Sequence, residues 1–275
     1  MKRIALLAAL LLVFACARKE QTAETATTTT QEPPPAVETQ PTATNTATVA
    51  PQNGIALPAD APIPASGVLL WLKADETLTG AHPVHPNQAP AVVPNAINGH
   101  AVIHFDGTDQ MLMSDVDIGP KRMPVGTIIS VFRSATADGS PLRKLYGDDN
   151  GSYDRAAGLD DRSVGKNYTI FSGNGVEGYF QPDVNTTYIT VDEYSPNEFS
   201  GWLNGRATLA KTPANWGEDA LPNLYIGGTG TVYQEFWSGD LAEMIVYGRK
   251  LTDAERAQVE DYLAKKYGVT LQRSS

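Results

Sequence analysis

From residue 66 onward, short apolar runs alternate with clusters of Gly, Asn, Asp and Pro, the spacing of strands joined by turns. Runs at 68–73, 101–105, 110–114, 127–133, 143–146, 168–172, 178–181, 187–194, 198–203, 223–226 and 241–247 predict strands. No stretch alternates strands with crossover helices, so a doubly wound sheet or a βα barrel is excluded. Many short strands predict an all-β fold, a two-sheet antiparallel jelly-roll sandwich. Asn204-Gly205 follows Trp202-Leu203 and precedes a further run at 206–209, the signature of a tight hairpin. One helix is well marked, at 252–266. Thr252 can cap it with Glu255 three residues on, Lys265 and Lys266 suit its last turn, and Gly268 stops it. Val259, Tyr262, Leu263 and Tyr267 form one stripe, which predicts a C-terminal helix packed on the sandwich.

Composition divides the chain. Residues 21–65 hold no aromatic and are mainly Thr, Ala, Pro, Gln and Glu, too few apolar groups to offset the entropy of ordering them. A disordered Thr/Pro/Ala-rich spacer is expected over 16–65 and one folded domain over 66–275. Of the 275 residues, the formal charge is -10. This acidity weighs against a phosphate-binding surface, and no nucleic-acid partner is expected. The single cysteine, Cys16, lies outside the predicted domain and excludes an internal disulfide framework or a thiol-based site there.

Lys2 and Arg3 precede the apolar residues 4–14, and Ala15 stands before Cys16. The apolar run would rise about 16 Å as a helix, roughly half a bilayer core, which suits an export signal better than a spanning helix. Val13-Phe14-Ala15-Cys16 resembles the lipobox of bacterial lipoproteins, apart from the bulky Phe14. The resemblance implies a signal peptide over 1–15, lipidation of Cys16 and a membrane anchor at the cell envelope. Ala17, in place of an Asp, favours the outer membrane. The spacer would then hold the domain away from the membrane, outside the inner membrane.

The domain opens with Leu70-Trp71-Leu72-Lys73-Ala74-Asp75 and continues through Asn95-Ala96-Ile97-Asn98-Gly99 and Phe105-Asp106-Gly107-Thr108-Asp109. It closes with Gly239-Asp240-Leu241-Ala242-Glu243-Met244-Ile245-Val246-Tyr247 before Leu251-Thr252-Asp253-Ala254-Glu255. These segments resemble the bacterial laminin-G-like branch of the concanavalin A-like lectin/glucanase superfamily. The resemblance implies a jelly roll whose relatives bind glycans, proteins or calcium, or hydrolyse polysaccharides. The segment 76–91 departs from the Trp-containing stretch expected there.

Hydrolysis on such a sandwich would need two carboxylates on one strand, alternating so that both enter one cleft. Asp192-Glu193 are adjacent and would point to opposite faces, and Glu243 is a lone carboxylate expected to be structural. The chain is therefore expected not to be an enzyme. The expected function is an envelope-anchored, non-catalytic recognition module for a glycan or glycoconjugate. A structural or adhesive domain binding an envelope or extracellular protein is the alternative, and a diverged polysaccharide hydrolase the third. Trp216, Trp237, Asn215, Gln234 and Tyr146 are the candidate ligand-binding residues, because aromatic faces beside amides suit sugars. Any bound metal would be calcium, held by oxygen ligands from Asp148, Asp149, Asn150 and Asp154, or from Asp106 and Asp109. The histidines, at 82, 85, 100 and 104, lack a shared geometry for a metal.

Overall fold

The β-branched and aromatic runs pair antiparallel into two sheets in a computed structural model, which describes residues 52–151, 154–163, 165–173, 175–214, 221–230 and 233–273. Cys16, the leader, the spacer up to residue 51, Asn215 and Trp216 lie outside the described residues. The strands are β1 (Val68–Lys73), β2 (His82–Pro83), β3 (Ala91–Ile97), β4 (His100–Asp106), β5 (Leu112–Ser114), β6 (Gly126–Ser134), β7 (Arg143–Gly147) and β8 (Ala156–Leu159). They continue with β9 (Tyr168–Phe171), β10 (Glu177–Phe180), β11 (Tyr188–Tyr194), β12 (Glu198–Leu203), β13 (Arg206–Pro213), β14 (Leu224–Ile226) and β15 (Ser238–Tyr247), before helix α1 (Asp253–Tyr267). The first sheet runs β13-β12-β11-β6-β15-β4-β3, with β1 beside β15, and the second runs β10-β9-β8-β7-β14-β5-β2. The all-β, two-sheet sandwich with one C-terminal helix stands as expected.

Strand β15 is the hub. One side pairs with β6, while the other is shared between β4, at Ser238 to Leu241, and β1, at Glu243 to Tyr247. Alternation places Ile128 and Phe132 of β6 in the inter-sheet core, and Ile129 and Val131 under the helix. Likewise β11 sends Tyr188 and Tyr194 inward, and Ile189 and Val191 outward. Both faces of these central strands are buried, which is why their apolar runs are nearly continuous. The Asn204-Gly205 hairpin forms with both residues at positive φ, 48° and 84°, as its tight two-residue turn requires.

Helix α1 begins with the expected reciprocal cap. The Glu255 amide donates to Thr252 Oγ1 at 3.2 Å and the Thr252 amide to Glu255 Oε2 at 2.9 Å. Gly268, at φ 71°, ends it with its N–H on the Ala264 carbonyl. Val259, Leu263, Ala264 and Tyr267 pack on the outer face of the first sheet. Beneath them Glu243 is 1% exposed and accepts from Trp71 Nε1 at 2.5 Å, Tyr267 Oη at 2.8 Å, Lys266 Nζ at 2.9 Å and Tyr262 Oη at 3.2 Å. Donors from β1 and α1 thus converge on one carboxylate of β15, which has a structural role.

The packed chain begins before the boundary expected at residue 66. Gln52 brackets the Asp117 peptide, donating to its carbonyl at 2.6 Å and accepting from its amide at 2.9 Å. Ile63 is 2% exposed in the outer core, and the Pro62 and Pro64 carbonyls accept from Gln258 and Tyr247 at 3.1 Å each. A few well-placed carbonyls and one Ile hold this segment, and averaged composition cannot show them.

Candidate glycan-binding site

Two of the expected ligand-binding aromatics are core residues instead. Trp237 is fully buried, edge-on to Phe132 with ring centroids 5.6 Å apart. Tyr146 is equally buried, donating to Asp192 Oδ2 at 2.8 Å and meeting Tyr194 Oη at 2.9 Å. Neither can touch a ligand at the surface. Strand β7 carries a bulge between Lys144 and Tyr146 that breaks simple alternation. Gln234 is exposed, as a ligand contact requires.

The sandwich interior is polar around these rings. Burial raises the Asp192 carboxyl to about 7, although the hydroxyls of Tyr146 and Tyr179 pull the other way. Arg155 lies with its guanidinium 4.6 Å over the Tyr194 ring and donates Nη1 to the Ile118 carbonyl at 2.8 Å. Glu193, on the opposite face of β11, pairs with Lys250 at 2.5 Å. The Asp192-Glu193 pair is split between two faces and cannot act together.

Most of the acidic residues considered for calcium accept hydrogen bonds within the fold. Asp106 Oδ1 accepts from the Thr108 amide at 2.8 Å, Asp109 Oδ2 from Gln88 at 3.0 Å and Asp149 Oδ1 from the Gly151 amide at 2.8 Å. Asp154 Oδ2 accepts from the Asn150 amide at 3.3 Å. Asp148 is fully buried, and its carboxyl is pushed well above the usual range by burial, against the pull of Arg155. Among the described residues no three His, Cys, Asp or Glu side chains converge as a metal would need. Most of these carboxylates shape turns, while both carboxylate oxygens of Asp148 are buried with no hydrogen-bond partner among the described residues. His100 and His104 face separate partners, Asp75 at 2.8 Å and Asp240 at 2.7 Å.

A groove of about 370 Å³ opens where the Gly107 turn, the start of β7 and residues 233–236 meet. Tyr233 stands at its lip, 51% exposed, the most exposed aromatic ring among the described residues. The next two residues, Gln234 and Glu235, both hold positive φ, 69° and 43°. Such backbone costs on the order of 1–3 kcal/mol per residue and persists only where surroundings enforce it. Here they do: the Gln234 amide donates to the Gly230 carbonyl at 3.1 Å, the Thr229 amide to the Gln234 carbonyl at 3.1 Å and the Lys144 amide to the Glu235 carbonyl at 2.8 Å. The loop therefore presents Tyr233 and Gln234 from a rigid base. Arg143 forms part of the opposite wall, its Nη1 donating to the Gly107 and Phe236 carbonyls at 3.2 and 3.3 Å.

Beside the groove, the outer face of the second sheet carries buried charge. Leu145, Ala157, Leu159, Tyr168 and Ile170 point into the core, so Lys144, Gly158, Thr169 and Phe171 lie on the other face. Lys144 Nζ donates to Asp160 Oδ2 at 2.9 Å and sits 4.9 Å above the Phe171 ring. Burial works to raise the Asp160 carboxyl, yet hydrogen bonds from Arg162 and Lys144 hold it at about 2. Glu235 is raised by burial, under the charges of Lys144, Asp149, Asp160 and Arg162. Aromatic-amide adjacency marks Tyr233 beside Gln234, whereas Arg143, Lys144 and Glu235 carry no such mark. The Gly-rich run 227–230 just ahead of Tyr233 is the one sequence mark of this tight loop.

No protein-family model matches the chain, and no curated protein matches it. Solved structures do. The sialidase of Trypanosoma rangeli is similar at 15% identity and TM-score 0.53, over 77% of this chain and 36% of that one. The same enzyme in complex with sialic acid gives 14% and 0.54, over 79% and 36%. The botulinum neurotoxin serotype D binding domain gives 6% and 0.51, over 71% and 52%. The chain thus spans about a third of the sialidase and half of the toxin domain. The likeness shows a β-sandwich fold. It also corrects the expectation that the chain is not an enzyme, since the matching structures include a sialidase and a mutant of it with trans-sialidase activity.

Proposed function

We propose that this domain recognises glycans in the groove between Arg143 and the loop bearing Tyr233 and Gln234, displayed at the bacterial cell envelope by a lipid on Cys16. The observation that carries this reading is the half-exposed Tyr233 ring at the lip of a groove of mixed polar and apolar lining that includes Arg143 and Gln234, on a backbone whose strain is held by hydrogen bonds on several sides. A sugar offers an apolar C–H face to such a ring and hydroxyls to the amide and guanidinium beside it. The sandwich fold shared with a sialidase supports the same ligand class.

An oligosaccharide array probed with the protein, and assayed in parallel for released sugar, tests it. Binding of at least one oligosaccharide is expected, and Tyr233→Ala should weaken it by about tenfold or more, the loss of roughly 1.4 kcal/mol. An array with no bound sugar, or a Tyr233→Ala variant that binds as the unaltered protein does, would refute the reading. For the anchor, Cys16→Ser should move the protein from the membrane to the soluble fraction. A mature N-terminus found by mass spectrometry to be unlipidated would end that part of the proposal.

A further inference from the structure

Arg143 is held differently from most arginines of this acidic chain. Arg133, Arg162, Arg249, Arg256 and Arg273 each sit on a carboxylate, Asp240, Asp160, Glu255, Asp253 and Asp261 respectively. Arg143 is half-buried, has no carboxylate partner among the described residues, and is fixed by two main-chain carbonyls through Nη1 alone. One edge of the guanidinium is thereby clamped while Nε and Nη2, which make no hydrogen bond within the described chain, remain as a fork. Gly107 is needed for this clamp, because a Cβ there would come within 2.5 Å of Arg143 Nη1, and its φ is 79°. Glu235, the one acid lining the groove, is turned aside, its Oε2 3.4 Å from Thr229 Oγ1.

From this arrangement we infer that the groove selects saccharides that carry a carboxylate, with Arg143 as the specificity-determining residue. The inference rests on the glycan reading above and narrows it to one ligand class. A planar guanidinium with two parallel donors matches a carboxylate bidentately, which a hydroxyl cannot do. A cation held in place by neutral carbonyls keeps its full charge for the ligand, and binding costs it no resident ion pair. The Tyr233 ring supplies the stacking face across the groove, and Arg143 adds the charge selection.

The test uses matched pairs of oligosaccharides, each a uronic-acid-containing or sialylated chain beside the same chain with its carboxyl reduced to an alcohol. Titrated against the mature protein, the acidic member should bind about tenfold more tightly at low ionic strength, and the preference should shrink at about 1 M salt. Arg143→Gln should erase the preference, weakening the acidic member about tenfold more than the neutral one, and Arg143→Lys should restore only part of it. Tyr233→Ala should weaken both members alike. Equal affinity for the two members overturns the inference and leaves the glycan reading standing. A preference that survives in a folded Arg143→Gln variant also overturns it, and binding to neither member overturns both. The comparison in the unaltered protein, with its salt dependence, stands even if a variant does not fold.

Discussion

Replacing Glu243 by Ala is expected to destabilise the domain by about 3–5 kcal/mol, the usual cost of removing one member of a buried, hydrogen-bonded charge cluster. The carboxylate accepts from Trp71, Tyr262, Lys266 and Tyr267, joining β1 and α1 to the hub strand β15. Without it, the Lys266 ammonium and the Trp71 indole N–H lose their shared acceptor under the helix. In a domain of this size the loss should lower the melting midpoint by on the order of 10 °C. Glu243→Gln should be milder, because its amide oxygen still accepts from the hydroxyls and the indole. A fall of less than about 1 kcal/mol for the Ala variant would show that the helix is held by its apolar stripe alone.

The second large effect is a pH dependence centred on Asp192. Its carboxyl is raised to about 7 in the fold, from an ordinary value of 3.8, by burial between the sheets. A raised acid favours the folded state most where both forms are protonated. That contribution is present below pH ~4, is lost as pH rises from there to about 7, and is level above. Asp192→Asn cannot ionise, so its stability relative to the unaltered protein should climb across the same window, by at most about 4 kcal/mol. The variant's absolute stability depends on how its amide hydrogens pair beside Tyr146, but the pH dependence of the difference does not. Denaturant melts of both proteins at pH 4, 6 and 8 would measure it. A difference that stays constant with pH would mean that Asp192 is ionised in the folded protein.

The central strands and the helix were legible because burial on both faces leaves an uninterrupted apolar signal, as in β6 and β11, and because Thr252, Glu255 and Gly268 are capping residues with few other uses. The strands that escaped notice lack that signal for identifiable reasons. Strand β3 is an exposed edge, with Val92 48% exposed and Pro94 inside it, and an edge can carry a residue with no N–H to donate. Strand β8 is Ala156-Ala157-Gly158-Leu159, small because its outer side lies close to Lys144 and the β7 backbone. The site was less legible than the fold. The sequence around Trp237 and Tyr146 does not show that both rings are buried; the β7 bulge and the turn at 233–236 decide which rings face solvent. Tyr233, not its neighbour Trp237, is outside. Nothing local in the sequence marks Arg143 as unpaired, since pairing depends on where the Gly107 turn and Phe236 come to rest.

A crystal structure of the protein with the tightest-binding oligosaccharide of the array is the most direct test of the account. The account places a sugar ring against Tyr233 and within hydrogen-bonding reach of Gln234, inside the groove bounded by Gly107 and Arg143. Sugar bound on another face of the sandwich, with the Tyr233 ring left bare, would contradict it.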